Sequence, residues 1–170
     1  SNKIYENAFE WRFEFPEVLN DEGDFGGFDV VIGNPPYVFT KEGDFSDLYK
    51  TNISSFFEKF NVKTESKGLN IQTGKINLFG IFLIRSFEIL KRGAEVNVII
   101  PNNILRATTY EAIRKFLIEN TELVEIVDLG NNVFEDATVA TVLFSYKKKI
   151  TKHNDVKIIK EIKNFKDKNY

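Results

Sequence analysis

The sequence predicts an α/β fold with a mostly parallel sheet. Three observations carry that expectation. Phe28-Asp29-Val30-Val31-Ile32-Gly33 is a short apolar, β-branched run stopped by Gly33 and two prolines, as a buried strand would be. Residues 76 to 91 follow with Phe79, Phe82, Leu83, Phe87 and Leu90 at helical spacing. Glu95 to Ile100 is a second strand-like run, ended by Pro101-Asn102-Asn103. Strand, helix, strand in that order is the signature of a crossover unit.

The elements follow in order. Residues 28–33 form the first strand. Residues 40–75 are a long polar and aromatic insert, with a helix within Asp44 to Phe60 and a loop from Lys63 to Lys75. Loops of that size are usually functional or disordered. The helix over 76–91 is expected to end on Lys91 and Arg92, which suit its negative end, with Gly93 as a left-handed cap. After the second strand, Thr108 and Glu111 have the spacing of a capping box. The helix they open runs to Glu119 with Tyr110, Ile113, Phe116 and Leu117 on one face. Leu123 to Leu129 is a third strand and Thr138 to Tyr146 a fourth. Asn131 to Ala137 between them suits a hairpin, and Val156 to Ile162 suits one more short strand. The 170 residues are expected to form one domain, 1–170.

Asn34-Pro35-Pro36-Tyr37 lies just past the carboxyl end of the first strand, where open α/β sheets bind ligands. The Asn34 amide offers both an acceptor and a donor. The prolines lack backbone donors and stiffen the turn, leaving the Asn34 and Pro35 carbonyls to accept. Tyr37 adds a flat aromatic face. Two acceptors and a stacking plate suit a planar group with an exocyclic amine. A plain rigid turn is the alternative.

Asn-Pro-Pro-Tyr after an apolar strand resembles the catalytic motif of S-adenosylmethionine-dependent amino-methyltransferases. The surrounding residues narrow the likeness: Phe13 to Val18, Gly26 to Val38, Gly74 to Phe79, Ile99 to Asn103, Ile126 to Gly130 and Val133 to Ala137. Together, over roughly residues 9 to 146, they resemble N6-adenine DNA methyltransferases of type II restriction–modification systems, especially nuclease-fused ones. The resemblance implies a partial Rossmann-like methyltransferase fold whose final strand is antiparallel. It implies a cytoplasmic parent enzyme that uses S-adenosylmethionine and acts on double-stranded DNA. Asn34, Pro35, Pro36 and Tyr37 would be catalytic, with Tyr37 stacking on a flipped-out adenine. Phe134 would be the second stacking face, or else a core or hairpin-tip phenylalanine. RNA adenine and protein glutamine remain as other substrates, and a non-catalytic scaffold or DNA-contact module as the reading from another class.

No Gly-rich loop follows a strand upstream of Asn34. Gly23, Gly26 and Gly27 lead straight into a strand and make no nucleotide-binding turn. The chain also holds no methionine and opens on Ser1-Asn2. The expectation is therefore a fragment: the upstream half with most of the cofactor site, and a specificity region, lie elsewhere, and the isolated chain is inactive. The sheet edge beside residues 28–33 would then be exposed, inviting self-association or disorder near the amino end.

Composition sets further bounds. Net charge is −2, which gives no global electrostatic case for nucleic acid; a DNA-binding patch is local or supplied by the missing parts. There is no cysteine, which excludes disulfides and thiolate chemistry, and the single histidine, His153, lies in a polar segment. No run is long and apolar enough to span a bilayer, and no metal site is expected. Seventeen phenylalanines point mainly to core. Asn77 and Phe79 stand where the resembled family commonly has Asp and Tyr. Phe39 is a packed loop aromatic or a lining of the cleft. Asn102 and Asn103 either face the cleft or cap a turn, and Lys147 to Lys149 are a solvated strand exit or a phosphate contact.

Overall fold

The computed structural model describes residues 11–38, 77–131, 139–151 and 155–159. A short helix α1 (Trp11–Glu14) leads to β1 (Phe28–Gly33). Helix α2 (Leu78–Ile89) passes into the long β2 (Leu90–Pro101). Helix α3 (Glu111–Asn120), β3 (Glu122–Gly130), β4 (Thr141–Lys147) and β5 (Lys157–Ile159) complete the order.

The five strands form one sheet in the order β1-β2-β4-β3-β5. β1 pairs parallel with β2, and β5 parallel with β3. β4 inserts between β2 and β3 and runs antiparallel to both. The α/β class, the crossover unit and the antiparallel late strand all agree with expectation. The sequence pattern did not show that β4 slots between its predecessors.

One sheet face carries the core. Val96, Val98 and Ile100 on β2 stand level with Tyr146, Phe144 and Val142 on β4. Phe79, Leu83 and Ile84 of α2 and Ile113, Phe116 and Leu117 of α3 cover them, all buried. Each fully buried aliphatic or aromatic side chain contributes about 1.5–3 kcal/mol. The Tyr146 hydroxyl donates to the Leu83 carbonyl at 2.6 Å, so even the core's phenol is satisfied.

Two local expectations are corrected. Lys91, Arg92 and Gly93 do not end α2; they belong to β2. The helix stops at Ile89 because Leu90 is extended (φ −78, ψ 148). The cation at the helix end is Lys148, whose ammonium donates to the Glu88 and Leu90 carbonyls at 3.1 and 2.8 Å. Lys91 instead pairs with Asp29 at 3.0 Å. The Thr108–Glu111 capping box does not form. Residues 108–110 make a 3-10 turn with no side-chain cap, and α3 starts at Glu111 without one.

The helix-to-strand switch at residues 89–91 is also where Gly27 is needed. Its φ is +92, and a Cβ there would lie 2.7 Å from the Lys91 nitrogen and 2.8 Å from the Leu90 carbonyl carbon. Only glycine lets the entry to β1 rest on that backbone.

Candidate active site

The turn after β1 is fixed at two points. The Tyr37 hydroxyl donates to the Ile99 carbonyl on β2 at 2.8 Å, across the carboxyl ends of the two parallel strands. The Leu78 N–H donates to the Val38 carbonyl at 3.1 Å, tying the exit of the turn to the start of α2. Pro35 is buried, Tyr37 is half-buried, and Asn34 is exposed with no hydrogen-bond partner among the described residues. The Asn34 carboxamide is thus held by its backbone at a rigid rim while its own donors and acceptor remain available. Burial raises the Tyr37 pKa above the ordinary phenol value, so it is a neutral donor at physiological pH.

Gly33, one residue before the motif, sits against the α2 side chain Phe82, with a built Cβ 3.2 Å from that ring. The strand end thus lies close against that helix side chain. Asn77, expected inside the helix, is instead its N-cap: its Oδ1 accepts from the Phe79 N–H at 3.2 Å, and Gly80 N–H donates to its carbonyl at 3.1 Å. An Asn directly ahead of an apolar helical run is the signal that identifies it. The Ile99 carbonyl has no sequence signal, because any residue offers one.

The neighbouring strand exit is bound into the same rim. The Asn102 N–H donates to the Ala140 carbonyl at 2.9 Å. Gly130 has φ +70, and its N–H donates to Asp128 Oδ1 at 3.1 Å, turning the chain out of β3. Asn102 is half-buried and Asn103 exposed. Phe134, Phe39, His153 and the whole insert 40–75 lie outside the described residues. The Lys147–Lys149 run is used structurally: Lys147 pairs with Glu95, Lys149 with Glu122, and Lys148 with the helix end. Among the described residues no acidic or histidine cluster suits a metal, and no helix is long and apolar enough to cross a membrane.

The chemistry this rim offers is polar capture of a planar amine: an exposed amide and proline-flanked carbonyls beside a tethered aromatic ring. Residues 1–134 match the family model described as Eco57I restriction-modification methylase. The chain is 34% identical over 146 residues to the type II methyltransferase M.BanIII of Aneurinibacillus aneurinilyticus, covering 79% of this chain and 23% of that protein. It is 28% identical over 145 residues to the type II restriction enzyme and methyltransferase RM.Eco57I of Escherichia coli, covering 82% of this chain and 13% of that protein. The chain thus spans a quarter or less of these relatives. In structure it resembles the type I restriction-modification methyltransferase subunit from Streptococcus thermophilus, with a TM-score of 0.55 and 23% identity over 79% of this chain and 26% of that one. The fold is that of S-adenosylmethionine-dependent methyltransferases, and the chain belongs to the Eco57I restriction-modification methylase family.

Proposed function

We infer that this chain, residues 1–170 as one domain, is the catalytic-motif part of a longer DNA adenine-N6 methyltransferase of a restriction–modification system. The observation that carries the reading is the exposed Asn34 amide on a turn locked by Tyr37 and Val38, in a chain of this family. S-adenosylmethionine, when bound, supplies an electrophilic methyl group. The residues here fit the acceptor side of that reaction; the described residues include no Gly-rich turn for the cofactor itself. The adenine amine is a poor nucleophile because its lone pair is delocalised into the ring. Asn34 Oδ1 and the Pro35 carbonyl accept its two N–H bonds, drawing the nitrogen towards a tetrahedral shape and aiming its lone pair. No strong base would be required: the sulfonium would keep the bonding pair and leave as a neutral thioether, and the N–H made acidic by the positive charge on nitrogen would pass its proton to solvent. Tyr37 stacks on the base, and Phe134 forms the opposite face.

A paired adenine hides this amine, so the base must leave the duplex at a cost of a few kcal/mol, which the aromatic faces offset. The partners are therefore double-stranded DNA, the remainder of the parent with its cofactor loop, and a specificity region. Among the described residues β1 ends the sheet, and its Val30 and Ile32 are 49% and 78% exposed. That edge suits coverage by the remainder of the parent or, in the isolated chain, by a second copy. The parent works in the cytoplasm, where its DNA is.

The test is product analysis. The full-length protein is incubated with labelled S-adenosylmethionine and with duplex DNA, RNA or a glutamine-bearing protein substrate. N6-methyladenine in DNA supports the reading. Label only in RNA or protein would move the substrate, and label in none would favour the scaffold alternative.

A further inference from the structure

A cleft of about 430 Å³ opens at the same carboxyl rim, on the β3 side of the candidate site. Its lining includes Asn102, Arg106, Asp128, Asn131 and Ala140. Asn131 and Ala140 bracket the segment 132–138, and Asn102 follows directly from the strand that anchors Tyr37. The cleft therefore shares the carboxyl rim with the Asn34 turn, with β2 and β4 between β1 and β3 in the sheet.

Arg106 is the cation of this cleft. It is exposed, and its guanidinium has no ion pair or hydrogen bond among the described residues. Its backbone is well fixed. Arg106 N–H and Ala107 N–H both donate to the Asn103 carbonyl, at 3.1 and 2.9 Å. Arg114 Nη1 braces the same turn from beneath, donating to the Ile104 and Ala107 carbonyls at 2.9 and 2.6 Å. One arginine is thus spent in building the turn, and the other is presented by it. Asp128 in the cleft has an oxygen accepting from Gly130 N–H, so an anion is favoured at the Arg106 rim and not at the β3 end. Asn102 adds an amide donor at that rim.

We propose that Arg106 binds a backbone phosphate of the nucleic acid held at this rim, with Asn102 as amide partner. A planar guanidinium with five donors suits a phosphate. The net charge of −2 on these 170 residues gives no general attraction to a polyanion, so a phosphate contact made by this chain is a local one. The proposal rests on the methyltransferase reading above and adds a residue which that reading does not use.

The test uses the full-length protein and its Arg106→Gln and Arg106→Lys variants. Binding of duplex DNA is followed across a salt series, then repeated with single methylphosphonate replacements around the target adenine. Losing one phosphate contact lowers the slope of log affinity against log salt by about 0.9, so a fourfold rise in salt weakens the wild type roughly 3.5-fold more than Arg106→Gln. Arg106→Lys should keep most of the slope. One methylphosphonate position should weaken the wild type and leave Arg106→Gln indifferent. Thermal melting should be unchanged, because the side chain is exposed. If the wild type methylates DNA but Arg106→Gln keeps the full slope and the same methylphosphonate pattern, the phosphate assignment is wrong and the methyltransferase reading stands. If the wild type transfers no methyl to DNA, both fall together.

Discussion

Replacing Tyr37 by Phe removes one oxygen and keeps the aromatic face, so it separates two roles of the same side chain. The lost atom is the donor to the Ile99 carbonyl at 2.8 Å, in a half-buried setting. A neutral hydrogen bond of this kind contributes about 1 kcal/mol net, a factor of roughly five in the equilibrium between a docked and a loosened turn. In a protein domain of this size that corresponds to a melting shift of about 2–4 °C. Because Asn34 is held through this turn, turnover should fall by a similar factor of about five, with cofactor affinity unchanged. Tyr37→Ala also removes the face. Stacking of a base on an aromatic ring is worth about 1–3 kcal/mol, so the alanine variant should lose roughly a further five- to 150-fold. The assay is single-turnover methyl transfer to DNA by the full-length protein, with thermal melting in parallel. Two results would refute the reasoning. If Tyr37→Phe matches the wild type in both measurements, the Ile99 bond does not position the turn. If Tyr37→Phe is as impaired as Tyr37→Ala, the ring face contributes nothing.

Two further outcomes follow from the packing. Gly27→Ala should cost about 3 kcal/mol or more, combining a positive φ with a Cβ 2.7 Å from the Lys91 nitrogen. Denaturant midpoints measure it, and a loss below about 1 kcal/mol would contradict the close contact. The second concerns alkaline pH. Burial raises the pKa values of Tyr146, Tyr37 and Tyr110, Tyr146 most strongly. The fold favours their protonated forms, so stability should be level below the unfolded tyrosine value of about 10 and fall as pH rises beyond it. Each such tyrosine adds up to about 1.4 kcal/mol per pH unit to the decline. Tyr146→Phe should flatten that slope while losing the bond to Leu83 at neutral pH, and denaturation curves on both sides of the transition would read both effects. An unchanged slope would mean that Tyr146 ionises without opening the core.

The sequence made most of this architecture legible because the buried runs are strongly patterned. Val30 to Gly33 ends in two prolines, and the α2 face repeats at helical spacing, so local chemistry and tertiary role agree there. The errors fall where a distant residue decides. Lys91, Arg92 and Gly93 had every local mark of a helix end. Yet Gly93 N–H donates to the Lys148 carbonyl, and Lys148 N–H to Ala94, both at 2.9 Å, drawing this stretch into β2 beside the exit of β4. Thr108 and Glu111 had the spacing of a capping box, but Arg114 holds the Ala107 carbonyl and the chain enters α3 through a 3-10 turn. At the site, a stiff proline turn just past the first strand could be read from residue types alone. Its anchoring could not, since the partners of Tyr37 and Leu78 are main-chain carbonyls, which carry no side-chain identity.

The most direct test of the central claim is Asn34→Ala in the full-length protein. Methyl transfer to adenine in duplex DNA is measured under single-turnover conditions beside cofactor and DNA binding. Losing an amide that stabilises charge only as the reaction proceeds should cut the rate about 100-fold or more while both ligands still bind. A variant that methylates adenine at nearly the wild-type rate would show that the Asn34 amide does not carry the reaction.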